Sequence, residues 1–223
     1  MARYLLAFTI VGLAFAPASA QPDPLERGAI EAATKLKGKA AIDVKLEETA
    51  RVAVMLESAT DDTLLALCKQ PSIGGIVIND ASKCTEKGYA ALKELPNLQK
   101  LILAKSALTD KSLAAIGSIR PIQLLYLGDA KITDAGLVGL VKMKNLHTLD
   151  LIESKITDKG LTHLVGLVKL EELNLSGTKV SDAGAETLKA LVNLKLLRLN
   201  NTDVTRAGVS KLEAALPKAT IRW

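Results

Sequence analysis

The apolar residues of the chain recur with a period of 24 residues. Five consecutive blocks each begin with the pattern L-x-x-L-x-L or I-x-x-L-x-L, and one of them, 146–169, reads LHTLDLIESKITDKGLTHLVGLVK. The other four are 98–121, 122–145, 170–193 and 194–217. A fixed period of this length is typical of a solenoid, in which every repeat forms one turn of the structure.

Each block predicts one strand followed by one helix. In L-x-x-L-x-L, apolar and polar residues alternate as they do in a strand with one buried face, and stacked copies of such a strand form a parallel sheet. The Thr-Asp or Ser-Asp pair that follows, for example Thr157-Asp158, places a capping hydroxyl before a helix and a negative charge in its first turn. We therefore expect parallel strands near 100–103, 124–127, 148–151, 172–175 and 196–199, with a helix after each.

A glycine follows the aspartate by two residues in most repeats, as in Gly136, Gly160 and Gly184. Glycine inside a helix costs about 1 kcal/mol relative to alanine. We therefore expect these glycines to allow close packing between neighbouring helices.

The same period extends beyond the five clear blocks. Residues 49–97 fit it as two degenerate repeats, and Ile221 and Trp223 occupy strand positions, so we expect seven turns over 49–217 and a closing strand over 218–223. An amphipathic helix, 24–37, and two alternating segments, 41–46 and 51–56, precede the repeats. Because an open solenoid end exposes its core, we interpret residues 21–56 as an N-terminal cap that overlaps the first degenerate repeat.

The repeat resembles the ribonuclease-inhibitor-like class of leucine-rich repeats. The resemblance rests on L-x-x-L-x-L-x-x-T-x-[IV]-T-D-x-G-L and is closest to exported bacterial proteins built from such units. Residues 170–185 follow this pattern except for Ser181 and Ala185, which replace the second Thr and the last Leu. It implies an α/β fold, a right-handed solenoid with parallel strands on the concave face and helices on the convex face. It also implies an interaction module, since proteins of this class mostly bind other proteins.

Residues 1–20 have the pattern of a secretory signal peptide. Arg3 precedes an almost wholly apolar segment, 5–15, and the small residues Ala18, Ser19 and Ala20 form a cleavage site. The segment is shorter than the ~20 residues that span a bilayer as a helix. We expect cleavage after Ala20 and a mature protein, without a membrane span, in the periplasm, cell envelope or exterior.

Composition and motifs exclude several functions. The net charge of +5 is spread over interspersed lysines and carboxylates, and aromatic residues make up 3% of the chain, so platforms for stacking nucleic-acid bases are not expected. The chain has no G-x-S-x-G, no phosphate-binding glycine loop and no H-E-x-x-H. We expect no catalytic residue and no cofactor.

Two sets of residues have alternative interpretations. The recurring Asp110, Asp134, Asp158 and Asp182 could form a row of metal ligands, but helix capping accounts for their common position, and we expect no metal. Cys68 and Cys84 lie on adjacent predicted turns. They could form a disulfide in an oxidising compartment, or each could be a small buried residue.

The outward strand positions of the concave face vary most between repeats, and there we expect the binding site. The predicted partner-binding residues are Lys100, Ile102, Leu124, Tyr126, Thr148, Asp150, Glu172, Asn174, Leu196 and Arg198. Exposed apolar side chains beside charged ones are typical of interaction surfaces. We expect a protein or peptide partner and a monomeric scaffold, and the alternatives are a carbohydrate-active or hydrolytic enzyme and a purely structural envelope protein.

Overall fold

The structure, a computed structural model, describes residues 22–43, 46, 51–128 and 130–223. The predicted signal peptide, 1–20, lies outside these residues. Strands and helices alternate along the described chain, and the strands form one sheet. None of the helices in this part of the chain has the length and apolar character that a membrane span requires.

The strands are β1 Lys39–Ile42, β2 Val52–Leu56, β3 Ile73–Ile78, β4 Lys100–Leu103, β5 Leu124–Leu127, β6 Thr148–Asp150, β7 Glu172–Asn174, β8 Leu196–Arg198 and β9 Thr220–Arg222. The α-helices are α1 Pro24–Lys35, α2 Asp61–Leu67, α3 Glu86–Ala91, α4 Asp110–Ile116, α5 Asp134–Leu137, α6 Asp158–Leu161, α7 Asp182–Leu188 and α8 Arg206–Ala215. Two 3-10 helices, Leu92–Glu94 and Val138–Lys142, continue α3 and α5.

The strands lie side by side in chain order. β1 pairs antiparallel with β2, and every later neighbouring pair is parallel. From β4 onwards the register joins residues 24 positions apart, for example Leu125 with Leu149. The predicted α/β leucine-rich repeat solenoid is confirmed, as are the five predicted parallel strands, although β6, β7 and β8 end one residue earlier than expected.

One continuous core lies between the sheet and the helices. Leu101 and Leu103 of β4 belong to it, together with the helix residue Leu113, and all three are fully buried. Ile102, between the two leucines, is not part of this core, because alternate residues of a strand point to opposite faces. We call the sheet face that carries Ile102, on the side away from the helices, the concave face.

The N-terminal segment covers the first repeat. Asp23 and Glu26 form a reciprocal capping box at the start of α1, with backbone-to-carboxylate distances of 2.8 and 2.9 Å. Glu26 also pairs with Arg51 just before β2, at 2.8 Å. The expected helix and the expected strand at 51–56 are present, but the first strand, β1, overlaps the expected 41–46 only at residues 41 and 42. Asp43 and Leu46, which follow β1, are buried.

A left-handed residue turns the chain after several strands. Lys105, Glu153, Gly177 and Asn201 have φ values of 46°, 58°, 73° and 56° and occupy the same place in their repeats. A side chain in this region costs roughly 1–2 kcal/mol, and only glycine avoids that cost. The common position shows that the turn is required by the repeat geometry rather than by the local residue.

Successive repeats are joined by a pair of hydrogen bonds that we call the carboxylate bridge. The aspartate in the first turn of one helix accepts two hydrogen bonds from the capping residue of the next repeat, one from its backbone N–H and one from its hydroxyl. Asp134 accepts them from Thr157 at 2.8 and 2.6 Å. The same geometry joins Asp61 to Thr85, Asp110 to Thr133, Asp158 to Ser181 and Asp182 to Thr205. The aspartates therefore bond between turns as well as lying at helix N-termini.

The carboxylate bridge explains the recurrent glycine. A Cβ added to Gly88, Gly136, Gly160, Gly184 or Gly208 would overlap Oδ1 of the bridging aspartate of the preceding repeat. One pair of successive repeats departs from both parts of the pattern: Glu86 replaces the aspartate of the first, and Ser112 replaces the glycine of the second. Glycine is thus replaced at the point where no aspartate approaches it.

We predict that Gly160→Ala destabilises the protein by about 1–3 kcal/mol, the usual cost of overpacking, even though alanine is the better helix former. The physical reason is the overlap of the new Cβ with Asp134 Oδ1. Equilibrium unfolding in urea measures the change.

The matched control is Ser112→Ala, at the equivalent position after Glu86, which should cost less than about 1 kcal/mol, the value of one hydrogen bond. In an Asp134→Ala background, Gly160→Ala should cost less than it does in the wild type. Equal costs in the two backgrounds would show that the aspartate is not what requires glycine.

Candidate functional site

The parallel register arranges the predicted binding residues in two rows across the concave face. The first row contains Lys100, Leu124, Thr148, Glu172 and Leu196. The second row contains Ile102, Tyr126, Asp150, Asn174 and Arg198. Neighbours within a row lie on adjacent strands, about 4.8 Å apart.

The N-terminal end of this face is covered by the chain itself. Asp43 is fully buried and its Oδ2 accepts a bond from Nζ of Lys100 at 2.6 Å. Leu46 is also buried, and its Cδ1 would lie 3.7 Å from a Cβ at Gly75. Lys100 is therefore paired within the molecule, and Leu46 lies beside Gly75 of β3.

Ile102 was expected to be exposed, and that expectation is wrong: only 4% of its surface is accessible. Val77, its neighbour in β3, and Leu46 are buried as well, although none of the three belongs to the main core. They indicate a small second apolar layer on the concave side. Leu46 lies outside the regular repeats, so the repeat pattern alone does not reveal this layer.

The middle of the second row is a hydrogen-bonded network centred on Asp150. Its carboxylate accepts bonds from Nδ2 of Asn174 at 2.6 Å, from the backbone N–H of Ile152 at 2.9 Å and from the Tyr126 hydroxyl. Asp150 and Asn174 are 1% and 6% exposed, which corrects the expectation that both face solvent. Their side chains are short and lie between the larger Tyr126 and Arg198.

Burial dominates the electrostatics of this network. Burial raises the pKa of the Asp150 carboxyl. The hydrogen bonds from Ile152, Asn174 and Tyr126 favour the ionised form and lower this pKa, but by less. Burial, together with the charge of Asp150, also raises the pKa of the Tyr126 hydroxyl. Tyr126 therefore stays a neutral donor toward Asp150.

The accessible part of the predicted site is what we call the concave patch. Its residues are all partly exposed and comprise Leu124, Tyr126, Thr148, Glu172, Leu196 and Arg198. Apolar surface from two leucines and a tyrosine lies beside one acidic and one basic side chain. This arrangement can bury part of a partner while charges at its edge orient it.

One residue of the second row was missed by the sequence analysis. Arg222 of β9 lies opposite Arg198 in the register and is exposed. Position 222 lies one period of 24 residues after 198, so the repeat pattern contains the signal that places Arg222 in this row.

The remaining candidate chemistry finds little support in the described residues. No group of three or more His, Cys, Asp or Glu side chains among them could hold a metal ion. The two thiols are free, and burial raises the pKa of Cys68 to about 11 and that of Cys84 to about 12, so both are protonated at neutral pH.

Comparisons with known proteins agree with the fold. A model of the leucine-rich repeat matches residues 167–189. Internalin C2 of Listeria monocytogenes is similar in structure, with 24% sequence identity over 92% of this chain and 88% of that one and a TM-score of 0.60. A leucine-rich repeat protein of Leptospira interrogans has 18% identity over 76% of this chain and 52% of its own, with a TM-score of 0.48. No curated protein matches the chain.

The raised pKa of Asp150 leads to a prediction about pH. The native carboxyl holds its proton over a range in which the unfolded chain, with a value near 3.8, has released it, so this group makes the free energy of unfolding fall as pH rises. Asp150→Asn removes that titration. We expect the stability of the wild type relative to the variant to decline as pH rises above the unfolded value of 3.8, measured by urea unfolding at a series of pH values.

Asp182→Asn is the matched control with the opposite sign. The backbone N–H and the hydroxyl of Thr205 lower the pKa of Asp182, so its contribution is present above the unfolded value and lost as pH falls. The stability of the wild type relative to Asp182→Asn should therefore increase with pH. If the stability of the wild type relative to Asp150→Asn also increased with pH, hydrogen bonding would outweigh burial at Asp150.

Proposed function

We propose that the chain is an exported, non-catalytic scaffold that binds a protein or peptide on the concave patch. Stacked repeats of this kind form extended concave surfaces, and leucine-rich repeat proteins generally use them for interactions with other proteins. The observation that carries the proposal is the partial exposure of Leu124, Tyr126 and Leu196 beside Glu172 and Arg198 on the concave face.

Tyr126 is the best candidate for the central contact. Its ring is partly exposed, while its hydroxyl is held by the buried Asp150. A side chain already fixed in one orientation loses little conformational entropy when a partner binds. Tyrosine is also among the residues that most often contribute strongly to binding energy.

The other predicted residues take supporting roles in this proposal. Asp150 and Asn174 hold Tyr126 and the strand ends from beneath, since both are nearly buried. Lys100 is paired with Asp43 of the N-terminal segment and Ile102 is nearly buried, so both contribute to the shape of that end. A partner would therefore contact the sheet from β5 onwards.

We predict that Tyr126→Ala weakens binding of the physiological partner by more than about 1 kcal/mol, or roughly fivefold. The partner is first identified by capture on the immobilised protein from the envelope fraction of the producing organism, with mass spectrometry as the readout. Titration calorimetry then compares the variant with the wild type.

Lys179→Ala is the control, because Lys179 is exposed after β7 and single exposed charges contribute little. Its affinity should equal that of the wild type. Unchanged affinity for Tyr126→Ala, with unfolding showing an intact fold, would place the binding site on the helical side or at an end of the solenoid.

Export is the part of the proposal that rests on residues 1–20. An N-terminal charge, a short apolar segment and a small-residue cleavage site are the features that direct secretion. We predict that protein recovered from the producing cells begins at Gln21, as determined by mass spectrometry of the intact chain. Recovery of the uncleaved chain from the cytoplasmic fraction would contradict export.

A further inference from the structure

The C-terminal end of the second row brings two arginines together. Arg198 and Arg222 occupy directly opposed positions of the neighbouring parallel strands β8 and β9, on the concave face. Like charges that face each other across two strands destabilise the pairing. None of the ion pairs within the described residues includes either arginine.

The nearby acidic groups do not compensate this pair. Asp150 attracts Arg198, but its oxygens already accept three hydrogen bonds beneath the surface. Glu171 is paired with Lys195 at 2.8 Å. Glu172 lies in the first row opposite Leu196, one strand from Arg198 and two from Arg222. Two guanidinium groups thus face one partly exposed carboxylate at this end of the sheet.

From this juxtaposition we infer that the concave patch binds an extended peptide segment carrying an acidic side chain, which the pair Arg198 and Arg222 receives. Two guanidinium groups can bind one carboxylate through several charge-assisted hydrogen bonds, and the ligand charge relieves their repulsion. The inference rests on the proposed function and specifies the chemistry of the partner.

The register also sets the spacing within that peptide. Tyr126 and Arg198 lie three strands apart, which is about 14 Å at the usual strand separation. An extended chain advances about 3.3 Å per residue. The acidic residue should therefore be separated by about four positions from an apolar residue that packs on Tyr126 and Leu124.

The apolar side chains favour a peptide over an acidic polysaccharide. Leu124 and Leu196 lie in the first row, beside Tyr126 and Arg198 of the second. Aliphatic side chains gain free energy by burying apolar surface, which peptide side chains supply and hydroxylated sugars largely lack. An acidic polysaccharide is the competing ligand that the experiment must exclude.

The test uses the purified protein and a phage-displayed library of random peptides as the probe. Enriched sequences should contain Asp or Glu about four residues from a large apolar residue. A synthetic peptide with the enriched motif should bind about tenfold more weakly to Arg198→Gln and to Arg222→Gln, and its affinity should fall with added salt.

Arg206→Gln is the matched control, since Arg206 is exposed at the start of α8 rather than on the sheet, and it should bind the peptide like the wild type. Replacing the peptide's acidic residue by its amide should weaken binding to the wild type about tenfold and leave binding to Arg198→Gln nearly unchanged. That loss of sensitivity would connect the peptide's carboxylate to this arginine.

Several results would overturn the inference. Enrichment of no motif, or of motifs without an acidic residue, would do so, as would equal affinity of wild type, Arg198→Gln and Arg222→Gln. Binding of polygalacturonate that depends on both arginines, without binding of acidic peptides, would replace the peptide by a polysaccharide.

The variants also separate this inference from the proposed function. Peptide binding that depends on Tyr126 but not on Arg198 would retain the concave patch and reject the arginine pair as a carboxylate site. Peptide binding that depends on neither residue would reject both.

Discussion

The stacking of this solenoid depends on the carboxylate bridge between successive turns. An aspartate at the start of one helix satisfies the N–H and the hydroxyl at the start of the next, as Asp158 does for Ser181 at 2.8 and 2.6 Å. The carboxylate can reach that position only where the next helix has no Cβ in the way, which requires Gly184. Glu86 and Ser112 support this coupling, because the aspartate and the glycine are replaced together. The hydroxyl, the aspartate and the glycine are therefore parts of one structural requirement.

A regular stack determines which side chains can act together. Residues 24 positions apart become neighbours across the sheet. Each outward-facing position of the repeat therefore forms a row on the concave face, and a row combines residues that are distant in the sequence. Tyr126, Asp150 and Asn174 become one hydrogen-bonded network in this way, although each belongs to a different repeat. The same register places Arg198 beside Arg222 and concentrates positive charge at the C-terminal end of the row.

The two ends of the concave face differ in what they offer a partner. At the N-terminal end, the chain covers its own sheet through Leu46 and through the ion pair of Asp43 with Lys100. From β5 onwards the described residues leave apolar side chains partly exposed beside charged ones. If Tyr126 contacts a partner as proposed, its interaction with the buried Asp150 would limit its motion beforehand and so reduce the entropic cost of binding. Binding at this end would thus depend on a rigid apolar centre and on charges at its margin.

The sequence by itself determined the repeat, the order and direction of the strands, the helix starts and the columns from which the two rows are built. It could do so because these features follow from local periodicity and capping chemistry, which recur every 24 residues. Only the tertiary structure decided how much of each row is exposed. Ile102 is nearly buried on the concave face, and the short side chains of Asp150 and Asn174 are buried between longer neighbours on adjacent turns. Exposure depends on contacts between turns and with the cap, and no single repeat contains that information. The bridging role of the aspartates was hidden for the same reason, since each carboxylate bonds to a residue in the next turn rather than in its own.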